Sequence, residues 1–482
     1  MPRHITVEKG VQEGGEVKRT PSAKAALVSL SLAMLLASLG ASSVNVGLPT
    51  LAQVFSASFQ DVQWIVLAYL LAVTTLVVSV GRLGDILGRR RLLLAGIGLF
   101  TTASLLCGLA PTLWLLIAAR AAQGIGAAVM MTLTMAYVGE TVSQAKIGSA
   151  MGLLGTMSAI GTALGPSLGG ILIAGLGWRA IFLANVPLGI LTIFLASRTL
   201  PGDQQTTRRS QGIQFDRVGT LLLALTLAAY TLAVTVGHGT VGPLNVALLA
   251  AAFVGVIFFV TVQARGASPL VPLDIFRDPV TSAGLAMSTL VMTLLMATLV
   301  VGPFYLSRGL GLEPASVGLI MSTGPLVAAL IGIPAGRLVD RFSTGHMTKV
   351  GLVGTAAGSL SLAMTPAGAG VVHYTASLVV LTAGYALFQA ANNTAVMTGV
   401  SRDQKGVVSG MLNLSRNLGL VTGASVMGAV FAFASGSIDV MELHAEAVLV
   451  GMRVTFAAAA ALVVVALAIS IGSRKRAARR GS

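Results

Sequence analysis

Two arginines interrupt long apolar stretches of the sequence, and charge in such a place can bind or couple ions. Arg120 lies inside one apolar run, about eight residues from its start at Thr112 and about 12 Å deep in a helix. Arg416 lies in the segment LNLSRNLGLVTGAS of another run, beside Asn413 and Asn417. Charge at this depth is costly and predicts a functional role. The alternative is a structural role, in which the arginine donates hydrogen bonds to helix carbonyls.

Other chemistry is not visible in the sequence. The five histidines are scattered, with no spacing that would hold a metal ion. No phosphate-binding P-loop is present, so direct use of ATP is not expected, and no Ser/His/Asp set can be assigned. The single cysteine, Cys107, cannot form an intramolecular disulfide. The sequence therefore predicts a protein that is not an enzyme and that binds no metal and no cofactor.

Apolar helices must position these residues. The chain of 482 residues is 55% hydrophobic and 10% charged, whereas soluble domains carry about 25% charged residues. Apolar runs of about 20 residues, long enough to cross a bilayer as a helix, recur along it. They predict an all-α integral membrane protein with fourteen transmembrane helices. The predicted spans are 25–47, 62–83, 92–110, 112–137, 147–175, 180–199, 217–237, 243–264, 281–306, 314–337, 347–365, 371–397, 406–434 and 449–471.

The basic residues predict the orientation in the membrane. An even number of spans places both termini on one side, and basic residues concentrate in cytoplasmic loops. Cytoplasmic termini would put the 31 Lys and Arg in tails, cytoplasmic loops or cytoplasmic helix ends, except Arg120, Arg179, Arg308, Arg416 and Arg453. The net charge of +15 is then a topology signal. We expect a multi-pass protein of the bacterial inner (cell) membrane, with no nucleic-acid partner.

A charged motif occurs twice and indicates two related halves. GRLGDILGRRR at 81–91 is predicted as the cytoplasmic loop after the second span, and GRLVDRF at 336–342 follows the tenth. Such a repeat suggests a transporter built from two similar bundles. The copies lie farther apart than six spans require, and two inserted helices, at the periphery or between the halves, explain the excess. The predicted parts are a disordered cytoplasmic tail at 1–24, a six-helix bundle at 25–199, a linker with two extra helices at 200–280, a six-helix bundle at 281–472 and a basic cytoplasmic tail at 473–482.

Four motifs give the chain a family resemblance that extends from about residue 25 to 472. They are GRLGD at 81–85 with Gly88–Arg91, Arg120–Ala128, Gly161–Gly170 and Trp178–Pro187. In this order, and at these spans, they resemble the major facilitator superfamily, specifically its fourteen-helix drug:proton antiporter branch. The resemblance implies a secondary transporter that exports hydrophobic compounds by alternating access in exchange for protons. The expected partners are small hydrophobic substrates, protons and the lipid bilayer, and we expect a monomer.

Candidate site residues follow from the motifs and from polar groups at membrane depth. A conformational latch, for which a positive-inside anchor is the alternative, comprises Gly81, Arg82, Asp85, Gly88, Arg89, Arg90, Arg337 and Asp340. The antiporter motif, which close helix packing also explains, comprises Gly161, Gly165, Pro166, Gly169 and Gly170. The coupling candidates are Arg120, Glu140 and Arg416. The cavity candidates are Asn45, Trp64, Tyr69, Gln123, Gln389, Asn392 and Asn393, with interfacial anchoring as the alternative for Trp64 and Tyr69.

One departure from the family pattern concerns coupling. The first helix of the family carries an acid in a motif close to Leu-Asp-x-Thr-Ile-Val-Asn-Val-Ala-Leu-Pro, where this chain has Gly40. None of the 16 acidic residues lies near the middle of a predicted span. A buried carboxylate can be protonated or can pair with a cation, and that competition couples two fluxes. Its absence favours neutral, zwitterionic or anionic substrates, or a proton site nearer a helix end. Glu140 is the candidate for such a site, although a solvated loop carboxylate is the alternative. An uncoupled or organic-anion transporter of the same fold is the second hypothesis.

Overall fold

The part of the chain that the structure describes forms fourteen long helices. In this computed structural model the described residues are 23–141, 147–200, 216–235, 242–266, 276–398, 405–436 and 444–481, and they contain no strand. Residues 1–22 of the predicted tail at 1–24 lie outside the described residues. The helices are α1 Ala23–Val54, α2 Phe59–Leu87, α3 Arg89–Leu109, α4 Leu113–Thr141, α5 Ile147–Leu176, α6 Ala180–Thr199, α7 Arg217–Thr235, α8 Pro243–Arg265, α9 Pro279–Phe304, α10 Pro314–Arg341, α11 Thr344–Ala363, α12 Gly370–Thr398, α13 Lys405–Thr422 and α14 Ala445–Gly481. Two helices include π-helical turns. Helix α9 continues through the π-helical turn Tyr305–Gly309, and α13 continues through the π-helical turn Gly423–Met427 into the α-helical segment Gly428–Ala434.

The apolar content of these helices confirms the membrane assignment. Among the described residues, 13 helices are long and apolar enough to cross a bilayer. The remaining one, α11, has 20 residues and is rich in Gly, Ser and Thr. It packs against α12 and α14, and small residues allow this close approach. A Cβ atom on Gly358 would lie 2.6 Å from the Leu381 Cα atom of α12. The predicted span at 347–365 is therefore a helix of lower hydropathy that packs closely between its neighbours.

The charged stretch at 81–91 is not the loop that the sequence predicts. Helix α2 continues to Leu87, and Gly88 alone separates it from α3. Gly88 has a φ of 93°, a conformation that glycine adopts without the steric cost of a Cβ atom. The polar residues of the motif therefore extend a helix beyond its apolar part. Glu140 was likewise predicted after the fourth helix, but it lies within the last turn of α4.

The first and last six helices pack in two groups, with α7 and α8 beside them. Helix α7 packs on α8 and on α2, and the hydroxyls of Ser79 and Thr220 are 2.7 Å apart. Leu223 and Leu227 of α7 join an apolar cluster with Met411 of α13. Helix α7 thus covers a seam between the two groups, whereas α8 is mostly exposed to the surroundings. Of the two placements that the sequence left open, α7 takes the position between the halves and α8 the periphery.

The two groups of helices meet on one side of the molecule. We call the face with the start of α1 and the end of α14 the terminal side, and the opposite face the far side. On the far side, the ring of Phe59 from α2 lies 4.7 Å from that of Phe304 and 5.0 Å from that of Phe431. Gln63 Nε2 donates to the Ala424 carbonyl, in the π-helical turn of α13, at 3.0 Å. These contacts close the far side between the halves.

The terminal side has open space at several corresponding positions. A Cβ atom would meet nothing within 4 Å at Gly155 of α5, at Gly332 and Gly336 of α10, or at Gly410 of α13. On the far side, a Cβ atom on Gly170 of α5 would collide with α10. Helices α5 and α10 are therefore in backbone contact near the far side, and Gly155 and Gly332 make no such contact nearer the terminal side.

Candidate functional site

Arg120 lies in the interior of the first group of helices, with no exposed surface. Its Nε donates to the Ile65 carbonyl of α2 at 3.0 Å, and its Nη1 donates to the Gly40 carbonyl of α1 at 3.0 Å. Nη1 also donates to Gln123 Oε1 on its own helix. The guanidinium carbon lies 4.3 Å from the centre of the Tyr69 ring, a distance at which a cation is attracted to an aromatic face. One side chain thus ties α1, α2 and α4 together.

The groups that hold Arg120 are themselves held by further hydrogen bonds. Gln123 Nε2 donates to Ser104 Oγ at 2.7 Å, and Ser104 Oγ donates to the Phe100 carbonyl at 2.7 Å. The Tyr69 hydroxyl donates to the Ala37 carbonyl at 3.1 Å. Both Gln123 and Tyr69 are buried. In this conformation, these two cavity candidates lie inside the first group of helices rather than on its surface.

A ring from α3 occupies the place of the acid that the first helix of the family carries. A Cβ atom on Gly40 would lie 2.6 Å from Phe100 Cζ and 3.7 Å from Gln123 Nε2. Among the described residues, Arg120 contacts no carboxylate, and its Nη2 has no hydrogen-bond partner. This geometry matches the structural alternative for Arg120, in which the guanidinium donates to helix carbonyls, here through Nε and Nη1. A coupling role for Arg120 stays a prediction.

Arg416 has different surroundings in the second half. It is half-buried, and its Nη2 donates to Asn393 Oδ1 of α12 at 2.8 Å. Tyr385, Gln389 and Asn393 are spaced four residues apart on α12, so they share one face. All three are half-buried. The structure thus brings together Arg416, Gln389 and Asn393, which were predicted separately.

The remaining cavity candidates divide between the interior and the surface of the halves. Asn392 is buried, and its Nδ2 donates to the Gly284 carbonyl at 3.1 Å and to Ser288 Oγ at 3.0 Å. Asn45 is also buried, and its Nδ2 donates to the Ser42 carbonyl at 3.3 Å. Trp64 is half-buried. Asn392 therefore joins α12 to α9. Of Asn45, Asn392 and Trp64, only Trp64 has substantial exposed surface.

The predicted antiporter motif packs α5 against α1. A Cβ atom would lie 2.6 Å from the Leu35 carbonyl oxygen at Gly161, and 2.7 Å from the Ser43 carbonyl oxygen at Gly169. At Gly165 it would collide with the Ser42 side chain. A residue larger than glycine at these positions would force the helices apart.

The same motif also forms the contact between α5 and α10. A Cβ atom on Gly170 would collide with the Pro314 carbonyl oxygen, and one on Gly318 would collide with the Pro166 carbonyl oxygen. Each glycine thus faces the backbone of the opposite helix. The far-side contact between the halves therefore depends on backbone approach at Pro166 and Gly170.

The predicted latch is described only in part. The side chains of Arg82, Asp85, Glu140 and Asp340 lie outside the described residues. Arg90 Nη2 donates to the Ser197 carbonyl near the end of α6, and Arg337 is exposed. Arg90 thus makes this contact within the first half and not across the two halves.

Three contributors to these sites were not predicted from the sequence. Phe100 fills the space beside Gly40, Gln63 binds the π-helical turn of α13, and Gly318 is the partner of Gly170. Phe100 belongs to an apolar run and has no local signal. Gly318 is a small residue and Gln63 a polar residue inside predicted spans. These residue types were the only signal in the sequence that either contacts another helix. The described residues contain no group of three or more His, Cys, Asp or Glu that could hold a metal ion.

Known transporters are similar to this chain in sequence and in fold. A sequence model described as Major Facilitator Superfamily matches residues 30–424. Multidrug resistance protein Stp from Mycobacterium tuberculosis is 32% identical over 84% of this chain and 75% of its own length. Riboflavin transporter RibZ from Clostridioides difficile is 26% identical over 92% of this chain and 96% of its own. A bacterial homologue of the human lysosomal transporter Spinster, solved in an inward-facing and occupied conformation, has a TM-score of 0.70 at 15% identity, covering 93% of this chain and 96% of its own.

Proposed function

The chain belongs to the major facilitator superfamily and is a multi-pass membrane transporter, and we propose that it exports small hydrophobic compounds in exchange for protons. The relative named Multidrug resistance protein Stp supports export of foreign compounds. The relative named Riboflavin transporter RibZ supports a small organic molecule as the substrate more generally. We place the transporter in the bacterial inner membrane with both termini in the cytoplasm, because basic residues favour that orientation.

The contact between α5 and α10 carries the proposal. Gly170 and Gly318 bring two helix backbones together on the far side, while Gly155 and Gly332 face open space towards the terminal side. With cytoplasmic termini, we propose that this is a conformation closed to the outside and open to the cytoplasm. Transporters with two similar bundles work by moving one bundle against the other around a site near the midplane. We therefore propose that the far-side seam separates when the terminal side closes.

The chemistry of the seam suits a contact that must form and break. Glycine faces meet by van der Waals packing without interlocking side chains, so separation loses many small contacts and no ion pair. Phe59 adds an aromatic contact to Phe304 and Phe431, and Gln63 adds one hydrogen bond. These contributions are individually modest. A substrate or a proton could therefore shift the equilibrium between the two conformations with a limited difference in affinity.

A second candidate function is transport without proton coupling, or transport of an organic anion. The observation that favours it is the neutral surroundings of Arg120, because Phe100 occupies the space beside Gly40 where a carboxylate would lie. Because no acid stands at this point of α1, coupling of substrate transport to protons would need another titrating group. Glu140, in the last turn of α4, is retained as the candidate.

Transport into proteoliposomes with an imposed pH gradient tests the proposal. Vesicles that are acidic inside should accumulate a substrate from a panel of cationic, neutral and anionic dyes, because an antiporter releases protons as it takes up substrate. A protonophore should abolish accumulation, and Glu140→Gln should reduce it if that residue carries the proton. Uptake that is equal with and without the gradient would exclude antiport and support the second candidate. Empty vesicles are the control.

A glycine substitution tests the far-side seam. Gly170→Val places a branched side chain against the Pro314 carbonyl oxygen of α10, so the far side should no longer close. Uptake should fall by about 5- to 150-fold, the loss expected from overpacking of 1–3 kcal/mol. Gly175→Val is the matched control on the same helix, because a Cβ atom there meets nothing within 4 Å. Equal activity of the two variants would contradict a role for the seam.

A further inference from the structure

Arg416 is a charged group at membrane depth that the protein leaves partly available. It lies 11 residues after Lys405, the first residue of α13, which is about 16 Å along the helix and close to half the thickness of a bilayer core. It is half-buried, and its one described hydrogen-bond partner is the neutral Asn393 side chain. Arginine has five N–H donors, so most of its donors remain for another ligand.

Arg416 lies on α13, a helix that borders the proposed gap between the halves because its far-side part contacts α2. On the far side, α13 meets α2, because Gln63 donates to the Ala424 carbonyl and its side chain fills the space beside Gly428. Towards the terminal side, Gly410, six residues before Arg416 on the same helix, has nothing within 4 Å of its Cβ position. Arg416 lies between these two points along the helix. A molecule that enters from the terminal side would therefore meet its guanidinium where the gap ends.

Among the side chains that the structure describes, the charges at membrane depth around this gap are positive. The described acidic side chains, Asp61, Asp216, Asp278, Glu313 and Glu446, lie at or next to helix ends. Arg120, the other deep arginine, is sealed inside the first half with no exposed surface. Arg416 is thus the deep charge that a ligand could reach among the described residues, and no described carboxylate lies near it.

The chemistry of the guanidinium group defines the ligand that fits. Its planar fork binds a carboxylate or a related oxyanion through two parallel hydrogen bonds. A buried cation without a counter-charge is costly, and an anionic ligand would remove that cost. The neighbouring Tyr385 and Gln389 offer an aromatic surface and an amide, which suit the uncharged part of an amphipathic molecule.

We propose that Arg416 binds the anionic group of the transported molecule, that Asn393 positions its guanidinium, and that the substrate class is amphipathic organic anions. This inference rests on the proposed transport function, since it names the substrate of the same central gap. Asn393 acts through Arg416 by fixing the direction of one guanidinium nitrogen. Arg416 itself makes the contact with the ligand.

Two dyes with one scaffold and opposite charge test the inference. Carboxyfluorescein is an anionic xanthene and rhodamine 123 is a cationic one, and fluorescence anisotropy reports their binding to the full chain in lipid nanodiscs. Arg416→Gln should weaken carboxyfluorescein binding by about 10- to 100-fold, because a hydrogen bond to a charged group contributes roughly 1.5–3 kcal/mol. Binding of rhodamine 123 should stay the same or improve.

Three further variants separate recognition from structure. Arg416→Lys keeps the charge without the fork and should show an intermediate loss. Asn393→Ala should change the ratio of the two dissociation constants by about fivefold, as expected from one lost neutral hydrogen bond. Arg198→Gln is the matched control, because it removes the same charge from an exposed position on α6, and it should bind both dyes as the wild type does.

The outcomes distinguish this inference from the proposed function. Equal weakening of both dyes by Arg416→Gln, no effect on either dye, or a wild-type protein that binds rhodamine 123 but not carboxyfluorescein would each overturn the anion site. Charge-selective binding without gradient-driven uptake of carboxyfluorescein would support the anion site and contradict proton-coupled transport. Gradient-driven uptake that Arg416→Gln leaves unchanged would support coupling and contradict the anion site.

Discussion

The two halves of the molecule each contain a deep arginine, and the two have opposite surroundings. Arg120 has no exposed surface, and the carbonyls of Gly40 and Ile65 accept its hydrogen bonds. Arg416 is half-buried and donates to Asn393 alone among the described residues. A charge at membrane depth can therefore serve structure when backbone carbonyls accept its hydrogen bonds, and can serve binding when the protein leaves its donors free.

The contrast arises from what the neighbouring helices provide. A helix carbonyl already accepts one hydrogen bond, but its second lone pair can accept another. Around Arg120, glycine at position 40 lets α1 approach closely, and Phe100 fills the remaining space. Around Arg416, half-buried polar residues at Gln389 and Asn393 take the place of packed backbone. The first site is closed by packing, and the second stays accessible.

The largest expected effect comes from exchanging each arginine for an apolar residue. Arg120→Leu removes the link between α1, α2 and α4 and leaves Gln123 Oε1 without its donor, so the free energy of unfolding should fall by about 3 kcal/mol. Arg416→Leu should lower it by less than about 1 kcal/mol, because one hydrogen bond is lost. Denaturant titration of both variants in the same detergent measures the difference.

This first prediction has a clear contrary result. Replacing a buried charge by an apolar group can also be neutral or stabilising. If Arg120→Leu unfolds at the wild-type denaturant concentration yet loses transport, then Arg120 serves coupling and the comparison between the two arginines fails. Arg120→Lys, which keeps the charge but loses the planar fork, should be destabilised to a smaller degree than Arg120→Leu.

A medium effect is expected from restoring an acid on α1. Gly40→Asp would push a carboxylate towards the Phe100 ring, since even a Cβ atom would lie 2.6 Å from Phe100 Cζ. Overpacking of this kind costs about 1–3 kcal/mol, so the midpoint of thermal unfolding should fall. The double variant with Phe100→Ala should recover part of the loss, because the cavity admits the carboxylate beside Arg120.

The control for this pair is Phe100→Ala alone, which should be destabilised by its cavity. Coupling between the two substitutions, measured as a double-mutant cycle, isolates the interaction. Strictly additive losses would show that the ring and the acid do not compete for the same space.

The smallest effect is expected from the tyrosine under Arg120. Tyr69→Phe keeps the ring against the guanidinium and removes only the hydrogen bond to the Ala37 carbonyl, so the free energy of unfolding should fall by about 1 kcal/mol. Dye binding should not change, because Tyr69 is buried inside the first half. A clear loss of binding in this variant would place Tyr69 in the substrate cavity after all.

The sequence predicted the helices better than the connections between them. All fourteen predicted spans correspond to helices in the structure, because an apolar run of this length has few other stable states in a bilayer. The charged motif at 81–91 was misread as a loop, since polarity marks the end of the apolar core and not the end of the helix. The bounds of α2 and α4 therefore extend further than hydropathy indicated.

The candidate sites were predictable in type but not in arrangement. Deep arginines and the glycines of α5 could be selected from composition and spacing, because charge and missing side chains are visible in any sequence. The sequence could not distinguish Gln123, which is sealed behind Arg120, from Gln389, which stays half-buried. Both are amides within apolar runs, and only the neighbouring helices decide whether such a group is enclosed.

The sequence by itself determined that this chain crosses a membrane many times and that it has a repeated charged motif. It also determined that arginines, and no acidic residues, lie near the middle of the predicted spans. These properties are local, since they depend on residue type and on distance along the chain. Tertiary structure alone decided that Phe100 fills the space beside Gly40, that Gly170 meets Gly318, and that Arg416 stays within reach of a ligand. Such contacts join residues far apart in sequence, and packing between helices, rather than hydropathy, sets them.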